Sequence, residues 1–266
     1  MSRQKLGQHY LKDRRVVDKI IASAEIRPGE RVLEIGTGRG ALTERLAYLG
    51  ADLEGYEVDR ENLVATLEKV GAAGVVVHLG DAFKEAPRFD VLVSSLPYSR
   101  SATFLEWISR IRYVRAIVLL QEDFVTKIMA APGTRNYRAI SAVAQISSEI
   151  KVLMRVGRES FSPPPKVNSL LISVKPRRRM TGAEISRVKR LFSLRRKEVV
   201  SATNELGIAL PTNDYGRRRV YSLRPREVLE ICGHRTPQVA ERPSREDCAP
   251  AKVGSGQQRE VSDPAC

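Results

Sequence analysis

The 266-residue chain carries 45 Lys and Arg against 31 Asp and Glu, a formal charge of +14, which suits a polyanionic partner such as nucleic acid. Its three cysteines, Cys232, Cys248 and Cys266, show neither CxxC nor Cys/His spacing, so no disulfide framework or metal site is indicated. No window reaches membrane-spanning length and the first residues lack the apolar stretch of a secretion signal; a cytoplasmic protein with no membrane partner is the expectation.

In chain order, Arg31-Val32-Leu33-Glu34-Ile35-Gly36-Thr37-Gly38-Arg39-Gly40 predicts a strand that breaks into a glycine-rich turn and enters a helix over 41–46. This is the first β-turn-α of a nucleotide-binding sheet, in which glycines let the backbone turn tightly and approach a ligand. The next apolar run, 53–56, ends at Glu57. A carboxylate there, about twenty residues beyond the turn, can bind both hydroxyls of a ribose. A third run, Val75-Val76-Val77-His78-Leu79, ends in Gly80-Asp81-Ala82-Phe83 and sets a second acid over the same crevice, suited to accept from an adenine amine. His78, inside that run, is expected to be a packed residue. The spacing Gly36-x-Gly38-x-x-Ala41 also satisfies a relaxed dinucleotide fingerprint. A dinucleotide, however, rests its pyrophosphate on the helix amino terminus, and Glu34, Glu57 and Asp81 around this loop would repel it. S-adenosylmethionine, a cationic adenosyl ligand without phosphate, fits those acids.

The run Val91-Leu92-Val93 leads into Ser95-Leu96-Pro97-Tyr98, and these four residue types together suit the capture of an adenine amine. The exocyclic amine is a poor nucleophile because its lone pair is delocalised into the ring. The Ser95 hydroxyl and the Leu96 carbonyl, held rigid by Pro97, can each accept one N–H, while the Tyr98 ring stacks on the base and fixes its plane.

Further along, 104–111 reads as a helix, 116–120 as a buried strand and 121–131 as a helix ending at Pro132-Gly133. Strands over 150–156 and 169–174, joined by a proline-rich loop, predict a final hairpin that inserts an antiparallel strand at the edge of an otherwise parallel sheet. From Thr181 the pattern is helical only, over 183–194, 197–206 and 224–231. Basic residues cluster there: Arg177-Arg178-Arg179, a group within 187–190, Arg195-Arg196-Lys197 and Arg217-Arg218-Arg219. A smaller cluster, Lys12, Arg14 and Arg15, lies near the amino end. Beyond Arg235 the chain is polar with few large apolar residues, so a disordered tail is expected.

Six motifs in order resemble those of the ribosomal RNA adenine dimethyltransferase family, of archaeal-like type. They are Gly7-Gln8-His9-Tyr10-Leu11, the glycine-rich loop from Glu34 to Thr43, Glu57, Gly80-Asp81, residues 95–98, and Phe161-Ser162-Pro163-Pro164-Pro165-Lys166-Val167-Asn168-Ser169. The resemblance implies an α/β, Rossmann-like class I methyltransferase domain over 1–176, a small basic all-helical RNA-binding domain over 177–235, and a tail over 236–266. It implies that His9, Leu11, Gly36, Gly38, Glu57, Asp81, Ala82 and Ser95 line the cofactor pocket. Ser95, Leu96, Pro97, Tyr98 and Phe161 then serve the target adenine, and Arg195, Arg196 and Lys197 meet RNA. The family usually has Asn where this chain has Ser95; a hydroxyl is shorter, so a bridging water is an alternative to direct contact. The implied activity is dimethylation of the N6 amines of two adjacent adenines in a small-subunit rRNA hairpin, by a monomer acting on rRNA, the small subunit or its precursor. Methylation of a large-subunit adenine, and a non-catalytic ribosome-assembly or transcription factor of the same fold, are the alternatives.

Overall fold

The computed structural model describes residues 8–233 except positions 72, 86 and 213. Gly7, the expected tail over 236–266, and Cys248 and Cys266 lie outside the described residues. Contacts divide the chain into two units, Met1–His234 and Arg235–Cys266.

The first unit runs β1 (Tyr10–Leu11), α1 (Arg14–Ala24), β2 (Arg31–Ile35), α2 (Ala41–Tyr48), β3 (Asp52–Glu57), α3 (Arg60–Val70), β4 (Val76–Leu79), α4 (Ala82–Glu85), β5 (Val91–Ser95), α5 (Ser101–Ile108) and β6 (Arg115–Gln121). It continues through α6 (Glu122–Ile128), α7 (Ala139–Ser147), β7 (Ser148–Val156), β8 (Phe161–Ser162), β9 (Ser169–Pro176), α8 (Gly182–Ser193), α9 (Val199–Leu206) and α10 (Pro225–Gly233). A seven-stranded sheet has the order β4-β3-β2-β5-β6-β9-β7. Its first five strands are parallel, and β9 runs antiparallel between β6 and β7. The fold is therefore the Rossmann-like α/β sheet with an antiparallel edge hairpin that the alternation of runs implied.

Alternation along the central strands explains why both faces are covered. On β5, Val91 and Val93 face a core with α1 and α2, whereas Leu92 faces a second core with α5 and α6. On β6, Ile117 and Leu119 take the first side, and Ala116, Val118 and Leu120 the second. Period-two side chains that are apolar on both faces read as a continuous hydrophobic run, the mark of a parallel strand under helices on both sides.

The edge strand behaves differently. His78 stands beside the Tyr56 ring, with centroids 4.8 Å apart, and its Nε2 lies 3.0 Å from Glu54 Oε1. It is exposed, so the expectation of a packed residue is corrected: β4 has a neighbour on one side only, and its side chains reach solvent. The helix expected over 104–111 begins and ends earlier, at Ser101–Ile108. No element was expected over α7, which is buried on two sides. Ala144 joins the core beneath the sheet, while Ala142, Val143 and Ile146 join a third core built with α8, α9 and α10. The expected boundary at 176/177 thus falls between β9 and α8, yet the helical segment shares its core with α7.

Arg115 closes the amino-terminal side of the sheet. Its guanidinium donates to the Ala24 carbonyl at 2.6 Å and to Glu30 Oε1 and Oε2 at 2.8 and 2.6 Å. It also donates to the Glu25 carbonyl, so it gathers the last carbonyls of α1 with the carboxylate. Hydrogen bonding from Arg115 holds the Glu30 carboxyl down at about 2 against an ordinary 4.5. A depressed folded-state pKa adds stability that is present above the unfolded value and lost as pH falls through 4.5 toward 2. Arg115→Met, which strands the Glu30 carboxylate and two carbonyls, is expected to cost about 3 kcal/mol or more in urea unfolding at neutral pH. Glu30→Gln is expected to flatten the loss of stability between about pH 4.5 and pH 2; a wild-type acid profile in that variant would show that the pair contributes nothing.

Candidate functional site

The carboxyl ends of β2, β3, β4 and β5 open onto two adjoining cavities of about 660 and 180 Å³, which share His9, Tyr10, Gly36, Gly38 and Ser95 as walls. The turn after β2 is shaped by glycine. Gly36, Gly38 and Gly40 have φ of 74°, 57° and 75°, values that side chains rarely adopt. Glu57, at the end of β3, pins this turn: Oε2 accepts the Gly38 N–H at 2.7 Å, and Oε1 accepts the N–H groups of Val58 and Asp59 at 2.8 and 2.9 Å. Burial pushes the Glu57 carboxyl upward, against the pull of those N–H donors. A carboxylate has about four lone-pair sites, so capacity remains for a ligand hydroxyl.

Asp81, after β4, lines the smaller cavity with Glu57, Ala82 and Phe83. Its Oδ1 accepts the Phe83 N–H at 3.1 Å and its Oδ2 accepts Arg100 Nη2 at 2.6 Å. Two acceptor carboxylates at neighbouring strand ends match the hydroxyl and amine donors of an adenosyl group, and a Cβ on Gly38 would come within 3.5 Å of the Tyr10 ring. That is an ordinary contact, so the fit of these residues to S-adenosylmethionine rests on the two carboxylates that line the cavity. Glu34 differs from the expectation of a charged acid beside the turn. It is 1% exposed, its Oε2 has no hydrogen-bond partner, and burial pushes its carboxyl up to about 8, with the Glu57 charge adding to the effect. At neutral pH it is mostly protonated, so the repulsion of phosphate falls to Glu57 and Asp81.

Ser95 is the last residue of β5 and lies where the two cavities meet. Its neighbours fix it: the Ser94 hydroxyl donates to the Ile35 carbonyl at 2.6 Å, and the Leu96 side chain is buried in the core. Pro97 sits opposite Gly36, where an added Cβ would approach its Cδ to 3.7 Å. The Tyr98 hydroxyl hydrogen-bonds with Ser169 Oγ at 2.7 Å, and burial raises its pKa. Phe161 lines the same cavity but is 2% exposed and packed with Leu11 in the core, so it forms a wall of the crevice, not a free stacking face.

The amino-terminal segment closes this wall. β1 pairs with β8, setting Leu11 opposite Phe161 and Tyr10 opposite Ser162. His9 Nδ1 donates to the Pro163 carbonyl at 2.8 Å, and its ring lies 5.7 Å from that of Tyr98. The Tyr10 hydroxyl bonds with Gln8 and with Asn62 of α3 at 2.9 and 3.0 Å. Arg100, Phe83 and Asn62 also join the site. None of them was singled out from the sequence, because each gains its meaning from a partner distant in the chain.

The basic helical segment is less free than its charge suggests. Arg195 donates to the Arg135 carbonyl at 3.1 Å and lies over the Tyr221 ring, and Lys197 is paired with Glu205. Arg218 is paired with Glu227 and Arg178 with Glu184. Of the three residues expected to meet RNA, only Arg196 is exposed with a side chain that has no partner among the described residues.

The ribosomal RNA adenine dimethylase family matches residues 1–219. A protein of Pyrococcus abyssi named "Probable ribosomal RNA small subunit methyltransferase A" is 35% identical over 85% of this chain and 89% of its own. The "Ribosomal RNA small subunit methyltransferase A" of Syntrophotalea carbinolica is 35% identical over 77% of this chain and 83% of its own. A dimethyladenosine transferase from Plasmodium falciparum superposes with a TM-score of 0.72 at 25% identity, over 84% of this chain and 96% of that one. The glycine turn pinned by Glu57 and the Ser95–Tyr98 loop thus lie in a chain whose matches span most of its length, and the chain belongs to the ribosomal RNA adenine dimethylase family.

Proposed function

We propose that the chain dimethylates the N6 amines of two adjacent adenines in a small-subunit rRNA hairpin, acting as a monomer in the cytoplasm. As a member of its family it is an S-adenosylmethionine-dependent rRNA adenine dimethyltransferase; the substrate hairpin, the monomeric state, the location and the roles of individual residues are proposed. No helix among the described residues is long and apolar enough to cross a membrane.

The observation that carries the reading is Ser95, fixed at the junction of the two cavities with Tyr98 anchored beside it. S-adenosylmethionine, when bound, supplies an electrophilic methyl on a sulfonium. Glu57 and Asp81 hold the adenosyl group, and His9, Leu11, Gly36, Gly38 and Ala82 complete its pocket. The target adenine must leave its stack to reach such a crevice. The Tyr98 ring, steadied by Ser169, gives it a face to stack on, with Phe161 behind. The Ser95 hydroxyl and the Leu96 carbonyl accept from the amine and localise its lone pair. Positioning and lone-pair localisation supply most of the catalysis, since no strong base is needed. The segment 177–235 is proposed as the basic helical RNA-binding region.

The direct test is to incubate the protein and labelled S-adenosylmethionine with small and large ribosomal subunits lacking adenine methylation and to map the label. Two adjacent dimethylated adenines in the small subunit are expected; label on the large subunit alone, or none, would overturn the reading. In single-turnover assays on undermethylated small subunits, Ser95→Ala is expected to slow methyl transfer by about ten- to a hundredfold. Tyr98→Ala should cost more, and Tyr98→Phe less, because the ring persists while the bond to Ser169 is lost. Full activity in both alanine variants would make residues 95–98 an ordinary loop. For RNA, Arg196→Gln is expected to lower the salt slope of binding by about one unit, and the triple change at Arg195, Arg196 and Lys197 to add little beyond it. A drop near three would mean that the pairs with Arg135 and Glu205 open on RNA.

A further inference from the structure

Arg100 occupies a place that methyl transfer alone does not explain. It ends the short turn Tyr98–Arg100 that follows the target loop, and its N–H donates to the Pro97 carbonyl at 2.8 Å. The next residue, Ser101, donates its hydroxyl to the Tyr98 carbonyl at 3.0 Å. The backbone of Arg100 is therefore locked to residues 97 and 98. Its side chain leaves that loop and crosses to the other wall of the smaller cavity, where Nη2 lies 2.6 Å from Asp81 Oδ2 and the guanidinium sits 4.9 Å from the centroid of the Phe83 ring. Phe83 in turn donates its N–H to Asp81 Oδ1. One arginine thus joins the loop proposed to hold the target base to the acid proposed to hold the adenosyl group and to an aromatic ring that lines the same cavity.

We propose that Arg100 is a positioning residue that couples the two sites, orienting the Asp81 carboxylate for the adenosyl amine when the 95–98 loop is in place, so that cofactor and target base each tighten the binding of the other. The proposal rests on the placement of the adenosyl group at Glu57 and Asp81. Physically, a guanidinium in contact with one carboxylate oxygen and an aromatic face restricts the rotation of Asp81 and leaves its remaining lone pairs directed into the cavity. A shift of the loop carries the guanidinium with it and releases that restriction. Such an arrangement makes the two binding free energies interdependent, and the interdependence must be reciprocal.

The experiment uses the full chain and equilibrium dialysis of labelled S-adenosylhomocysteine, with and without saturating undermethylated small subunits. In the wild type the subunits are expected to tighten the ligand by about fivefold or more, the lower range of measured couplings. Arg100→Met, which keeps an unbranched apolar stem and removes the guanidinium, should bring that ratio to near one and raise the dissociation constant of the free enzyme; Arg100→Lys should keep part of the coupling. A merely structural role would lower the melting temperature and leave the ratio unchanged. A wild-type ratio in Arg100→Met, an uncoupled wild type, or a fall of about one unit in the RNA salt slope without change in the ratio, which would mark Arg100 as a phosphate contact, would each overturn the proposal. Asp81→Ala with unchanged affinity in the free enzyme is a separate failure, which would remove the adenosyl placement itself.

Discussion

Everything at the open end of the sheet depends on the Glu57 carboxylate accepting three backbone N–H groups, those of Gly38, Val58 and Asp59. Without it, the Gly38 N–H of the turn after β2 and the Val58 and Asp59 N–H groups after β3 would lose a part-buried acceptor, and each hydrogen bond to such a charge contributes about 1.5 to 3 kcal/mol. The acid is thus structural before it binds anything. A charge that has already been removed from bulk water and oriented meets a ligand hydroxyl with little further reorganisation. The same economy of orientation recurs at Asp81, where a backbone N–H and Arg100 take up two of the acceptor sites.

The target side of the crevice is assembled from segments far apart in the chain. Tyr98 is anchored by Ser169 on β9, and His9 reaches it from the amino-terminal segment while bonded to Pro163. β1 and β8 pair to hold that segment against the late proline-rich loop. The inserted antiparallel strand therefore has a chemical consequence: it brings Ser169 to the end of β6, opposite Gln121 and near the loop after β5. A sheet that remained parallel to its edge would not supply this support.

Glu57, Asp81 and residues 95–98 were legible in the sequence because each follows an apolar run that ends at the carboxyl edge of a parallel sheet, and strand order then delivers them to one crevice. Arg100 was not legible. Beside Tyr98 it reads as a surface charge, and only the fold reveals Asp81 and Phe83 within its reach. Glu34 was misjudged for the converse reason: its sequence neighbours say nothing of the burial that keeps it protonated. The run Arg195-Arg196-Lys197 looked uniformly available, yet two of its members have local partners in Arg135 and Glu205. Helix α7 escaped notice because a short segment apolar on both sides lacks the one-sided pattern that marks a surface helix. The edge of β4 escaped because an apolar run does not disclose whether a strand has one neighbour or two.

The central claim is that the carboxylate pinning the glycine turn also receives the adenosyl ribose. A crystal structure of the protein with S-adenosylhomocysteine tests it directly. A ribose hydroxyl is predicted within hydrogen-bond distance of Glu57, with its bonds to Gly38, Val58 and Asp59 retained, and the adenine amine facing Asp81. A ribose held elsewhere, with Glu57 contacting only its three backbone donors, would contradict it.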